Sequence, residues 1–182
     1  MHKLSHAISG SWVPYSHGAV YSVVPSGEGE KLLAGIPSGD WRPFERLVSS
    51  LEPPYLLLYV LHTPRGEGGA GRYQSPALSP LQFQKFMQRF GSYLSSDARF
   101  DIWAHSPTEK ATIVWDRHDQ LFAYGPIAKY SAVLDALGFG HGDAGISFAH
   151  QHHYRPESDA TAHDILRSLP WTHSPLRPED EQ

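Results

Sequence analysis

Cysteine is absent from all 182 residues. Its absence removes disulfide frameworks, thiolate nucleophiles and sulfur-ligated zinc or iron–sulfur sites together, so any metal site must use His, Asp and Glu. Long apolar runs are missing as well. The longest, residues 55–61, is strand-sized and far short of the roughly 18 to 20 residues that a membrane-spanning helix needs. There is no Lys/Arg-rich stripe, and the formal net charge is −4. Phosphate-backbone binders need clustered cations to release counterions, so nucleic acid is not an expected partner, and neither is a membrane. The first residues carry a cation but no apolar stretch that could serve as the core of a secretory signal. The chain is therefore expected to be soluble and cytoplasmic.

Several catalytic signatures are also lacking. No HExxH places two imidazoles on one helix face, no GxSxG exposes a serine at an elbow, and no Gly-Lys-Ser/Thr forms a Walker A loop. What the chain does have is 40% apolar residues, 19% charged residues and twelve histidines. The first two values suit a folded domain. The third is the compositional outlier, and full protonation near the unperturbed imidazole pKa of about 6.5 would reverse the sign of the net charge.

The length suits one domain. Residues 1–14 are polar and without a period, and are expected to be a flexible arm pinned at most by Trp12. Residues 15–174 form the expected domain, and residues 175–182, prolines and carboxylates, a flexible acidic tail. Within the domain, residues 19–24 are rich in β-branched and aromatic residues and predict a strand, with a short helix over 28–34 after it. Asp40 is placed to cap a helix over 41–51, where Phe44, Leu47, Val48 and Leu51 recur at helical spacing. Residues 55–61 are apolar on both alternating faces and predict a central strand covered on both sides. A long Gly/Pro/Ser-rich connection over 63–79 leads to the clearest helix start, where Ser79 is an N-cap, Pro80 sits at N1 and Gln82 completes a capping box. Its stripe of Phe83, Phe86, Met87, Phe90 and Leu94 extends the helix to about residue 95.

A three-strand meander over 100–105, 111–117 and 121–124 follows, then a helix from Gly125-Pro126 to the C′ glycine Gly138. A strand over 145–149 and a helix over 160–169, capped by Asp159, complete the order. The pattern predicts a single α+β domain with a mixed, mostly antiparallel sheet of five or six strands and helices packed against it.

Two places carry candidate chemistry. In His150-Gln-His152-His153, a spacing of two puts His150 and His152 on one side of an extended chain, where their imidazoles can converge on a cation; His153 points away. The hairpin end Asp116-Arg-His118-Asp119 offers His118 as a third ligand, with Asp116 or Asp119 to polarise a metal-bound water. His62 and His105, at strand ends, are reserve ligands, and Glu157 or Asp159 could orient a histidine. Zinc or another divalent transition metal is the cofactor implied. The plainer alternative is a set of sheet-end histidines bonded to backbone or solvent.

The second place is the loop Arg65-Gly66-Glu-Gly68-Gly69-Ala-Gly71-Arg72. It matches GxGxxG, but no helix follows its third glycine, which argues against a dinucleotide site. Exposed backbone N–H groups between Arg65 and Arg72 would suit a carboxylate, a phosphate or an acidic protein patch. The sequence thus leaves two functions open: a non-catalytic binding module for a protein or small acidic ligand, and a divalent-metal-dependent enzyme, hydrolytic in type, centred on the histidines.

Overall fold

The strand signals of the sequence pair into one broad sheet that carries helices on one face. The computed structural model describes residues 1–180. Its strands are β1 (Leu4–Ile8), β2 (Ser11–Tyr15), β3 (Val20–Ser26), β4 (Gly29–Gly35), β5 (Leu56–Leu61), β6 (Gly71–Gln74), β7 (Phe100–Ser106), β8 (Ala111–Trp115), β9 (Gln120–Tyr124), β10 (Gly140–His141), β11 (His150–His152) and β12 (Thr172–Ser174). The helices are α1 (Arg42–Ser49), α2 (Pro80–Leu94), α3 (Ile127–Ala136) and α4 (Asp159–Arg167). Nine strands form the main sheet in the order β10-β3-β4-β9-β8-β7-β5-β6-β12, and β11-β1-β2 form a second sheet of three. Every pairing is antiparallel except β10 with β3. The fold is α+β with a mixed sheet, as expected, but the sheet has nine strands and not five or six. No helix among the described residues is long and apolar enough to cross a membrane.

The core lies between the main sheet and the helices. Tyr59, Ile102, Trp115, Leu121 and Ala34 follow one another across the strands in register, and all are fully buried. Phe44 of α1 packs its ring 5.7 Å from that of Trp115 and 6.4 Å from Phe83 of α2, joining two helices to the sheet. Helix α2 begins as its sequence demands. Ser79 Oγ accepts from the Gln82 backbone N–H, and Gln82 Oε1 accepts from that of Ser79. Removing an N-cap hydroxyl strands one backbone donor, so Ser79→Ala is expected to lower stability by about 1 kcal/mol in urea unfolding.

The other face of the sheet departs from expectation. Leu58, Trp103, Val114, Phe122 and Leu33 form a cross-strand row there, and all of them but Val114 are only half-buried. Strand β5 is thus interior to the sheet, but helices cover only one of its faces.

Three segments were expected otherwise. Residues 28–34, read as a short helix, are strand β4, because Leu32 and Ala34 alternate inward to pair with β9. The connection over 63–79 contains β6, paired to β5 and β12. The strand expected over 145–149 lies one step later, at His150–His152.

Both chain ends are also more ordered than expected. The arm 1–14 contains the β1–β2 hairpin, and Leu4 and Lys3 are buried while Trp12 is exposed. Of the tail 175–182, Pro178–Asp180 forms a 3-10 turn whose buried Asp180 pairs with Arg72 at 2.7 Å; residues 181 and 182 lie outside the described residues.

Candidate metal centre

The chain brings three of its histidines together from two distant segments. Strand β11 pairs with β1, and this positions residues 150–152 over the β8–β9 hairpin turn. His150 and His152 share one side of the strand, as an extended backbone requires. Their ring centroids lie 5.1 and 4.8 Å from that of His118 and 5.2 Å from each other. One nitrogen from each of the three lies within 4.8 Å of the others. Zinc–nitrogen bonds of 2.0–2.1 Å in tetrahedral geometry would place such nitrogens about 3.4 Å apart, so small side-chain rotations would close the set on an ion.

Protein groups fix two of the rings. His118 Nδ1 lies 2.7 Å from Asp116 Oδ2, and His150 Nδ1 lies 3.1 Å from the Phe148 carbonyl oxygen. Ionised carboxylates and carbonyls only accept, so both Nδ1 atoms carry the hydrogen and both Nε2 atoms keep a lone pair. His152 Nε2 is buried and has no hydrogen-bond partner among the described residues. A buried polar nitrogen without a partner costs roughly 1–3 kcal/mol, and a ligand at that position would remove the cost. Burial, together with the neighbouring imidazoles of His118 and His150, pulls the His152 pKa down to about 3, so it stays in the neutral form that binds metals.

Asp116 has an orienting part here. Oδ2 holds His118, and Oδ1 accepts the backbone N–H groups of His118 and Gln120 at 2.9 and 2.8 Å. The sequence suggested that Asp116 or Asp119 would polarise water, and the geometry gives both carboxylates other work. Asp119 lies 3.1 Å from Lys3 Nζ and accepts from Trp115 Nε1 at 3.1 Å. Lys3 is fully buried, donates to the Asp116 carbonyl at 3.2 Å and stands 4.2 Å from the centre of the Trp115 ring. The N-terminal strand thereby clamps the hairpin turn that carries His118. Burial pushes the Asp119 carboxyl up, against the pull of Lys3.

Three further histidines take other partners. His153 faces away from the triad and meets Ser5 Oγ at 2.8 Å. His105, a reserve ligand, meets Thr112 Oγ1 at 2.9 Å. His62, the other reserve, lies 2.8 Å from Asp101 and lines a cleft of about 330 Å³ together with His152. A second hollow, about 260 Å³, borders His118 and His150 on another side. Comparison with protein-family models, with curated proteins and with solved structures gives no match. The chemistry of the chain therefore rests on its own residues.

The glycine–arginine loop meets its partners inside the molecule. Arg65 pairs with Asp159 at 3.1 Å and Arg72 with Asp180 at 2.7 Å. Gly71 belongs to β6, and a side chain at Gly68 would run into Tyr73 and Leu166. These glycines allow close packing, and Gly66 supplies a left-handed turn at φ +105°. Between them, Glu67 reaches the fully buried Arg99 at 3.1 Å. Asp97 grips the same guanidinium twice at 2.9 Å, and Asp159 adds a third carboxylate at 3.0 Å. So Asp159, expected to cap a helix or orient a histidine, ties α4 to this loop; Glu157 is exposed.

Sequence reasoning missed Asp101 as the partner of His62, Lys3 as the clamp and Arg99 as a hub. Only Asp101 and His62 left a readable trace, as polar residues at the facing ends of two apolar strands.

Proposed function

We propose that this chain is a metal-dependent hydrolytic enzyme whose centre is one divalent transition ion, zinc by preference, held by His118, His150 and His152. One observation carries the reading: three imidazole nitrogens from two distant segments lie within 4.8 Å of one another, and His152 Nε2 is buried without a partner among the described residues. Three neutral imidazoles suit zinc, and three protein ligands leave a fourth position for water or substrate. A zinc ion held there would lower the pKa of a bound water to about 7 and would polarise a carbonyl or phosphoryl oxygen. Asp116 sets the tautomer of His118 and raises its basicity, so Asp116→Asn is expected to weaken zinc affinity about 10- to 100-fold.

The alternative of a binding module built on Arg65 and Arg72 has less support, because both guanidiniums already face carboxylates of the same chain. Calorimetric titration of chelator-stripped protein with zinc tests the metal reading. One equivalent should bind, and at 100 times Kd it should stabilise the fold by about 2.7 kcal/mol. His105→Ala should leave the stoichiometry unchanged. Less than about a tenth of an equivalent, with no thermal shift, would discard the reading.

A further inference from the structure

The cleft beside His152 is bounded by His62, Thr63, Arg117, Tyr154 and Leu176. His62 stands at the end of β5 and is held by a single group. Its Nε2 lies 2.8 Å from Asp101 Oδ2, and the other carboxylate oxygen accepts the Arg117 backbone N–H at 2.8 Å. Asp101 is buried, and Arg117 is adjacent in sequence to the ligand His118. The same carboxylate therefore fixes both the His62 ring and the backbone leading into the triad.

An ionised carboxylate can only accept, so His62 Nε2 carries the hydrogen and Nδ1 presents its lone pair. That nitrogen has no hydrogen-bond partner among the described residues, and His62 lines the cleft. An imidazole held in one tautomer by a buried carboxylate, in a residue that lines a cavity, is the arrangement that makes histidine a general base. Three other buried or half-buried histidines are tied elsewhere: His17 to the His118 carbonyl, His105 to Thr112 and His153 to Ser5.

We propose that His62 is the proton acceptor for water at the histidine triad, that Asp101 is its positioning residue, and that the substrate is a small ester with a carbonyl or phosphoryl centre. This rests on reading the triad as a metal centre. Water held there gives one proton to His62 Nδ1, and its oxygen bonds to the carbonyl carbon or the phosphorus. The bond from that atom to the leaving oxygen breaks with its electron pair on the oxygen, which takes the proton back from the His62 imidazolium. One water is consumed, an acid and an alcohol are released, and nothing is oxidised or reduced. His118, His150 and His152 would hold the ion as neutral imidazoles, and the net positive charge so placed would supply stabilisation for a developing oxyanion.

The test uses zinc-loaded full-length protein with two probes, p-nitrophenyl acetate for a carbonyl centre and bis(p-nitrophenyl) phosphate for a phosphoryl centre. Wild type should hydrolyse one of them in a zinc-dependent manner. His62→Gln should slow that hydrolysis by about 10² to 10⁴-fold while binding one zinc and melting as wild type does. Added imidazole should restore part of the rate to His62→Ala, a second variant that serves if glutamine disturbs the fold. Asp101→Asn should lower the rate and be insensitive to imidazole. Hydrolysis by His62→Gln within threefold of wild type would overturn the proposal, as would zinc-loaded wild type that turns over neither probe. Failure to bind zinc at all would be read directly from stoichiometry and would overturn the metal centre itself.

Discussion

His152→Ala is expected to lower zinc affinity by at least about 100-fold and to remove zinc-dependent thermal stabilisation. A structural zinc site gains about 10–16 kcal/mol from four ligands, so one imidazole accounts for about 3 kcal/mol, or about two orders of magnitude. His152 should show the largest effect of the three ligands because its Nε2 is buried and otherwise unpartnered. The same change should leave the metal-free protein as stable as wild type or slightly more so. Alanine removes a polar atom that the metal-free fold buries without compensation, and this offsets the packing lost. Titration calorimetry and urea unfolding with and without zinc separate the two effects. A variant less stable without zinc but unchanged in affinity would assign His152 a packing role.

Arg99→Met is expected to cost about 3–5 kcal/mol, a large part of the 5–15 kcal/mol that holds a domain of this kind. The guanidinium is fully buried and is met by Asp97, Glu67 and Asp159, and it also donates to the Arg155 carbonyl at 3.0 Å. Methionine fills much of the volume but leaves Asp97 and Glu67 as buried carboxylates without a cation. Arg65 gives the contrast. It shares Asp159 but is about a third exposed, and Arg65→Ala should cost under about 1 kcal/mol. Urea midpoints of the two variants measure the difference; equal effects would mean that the Arg99 cluster is not the hub joining the 63–70 connection, the turn before β7 and α4.

The legible parts of the fold were those set by near neighbours. Ser79, Pro80 and Gln82 lie within one turn, and the β7–β8–β9 meander is closed by short turns, so local chemistry specified both. Strands β1, β4 and β6 were not legible from their own residue periods: β1 and β4 form hairpins with β2 and β3, β6 pairs with β5, and each is completed by a remote partner, β1 by β11, β4 by β9 and β6 by β12. Residues 28–34 have no strong helical or strand period, and tertiary pairing decides them.

The site divides in the same way. The spacing of His150 and His152 is a local fact of extended backbone, and His118 at a hairpin end was a natural third ligand. The roles of Asp116 and Asp119 could not be separated from sequence, since both flank the turn and only the position of Lys3, more than a hundred residues away, draws Asp119 inward. The internal partners of the Arg65 to Arg72 loop were hidden for a related reason. Its glycines and arginines have the composition of an anion-binding loop, but their partners, Asp159 and Asp180, come from the far end of the chain.

If His118, His150 and His152 hold one ion, anomalous X-ray diffraction at the zinc edge, from crystals of the zinc-titrated protein, will locate it. One strong peak is expected, about 2.0–2.1 Å from a nitrogen of each of the three imidazoles. A peak absent from the triad, or present only at surface histidines such as His141 or His163, would contradict it.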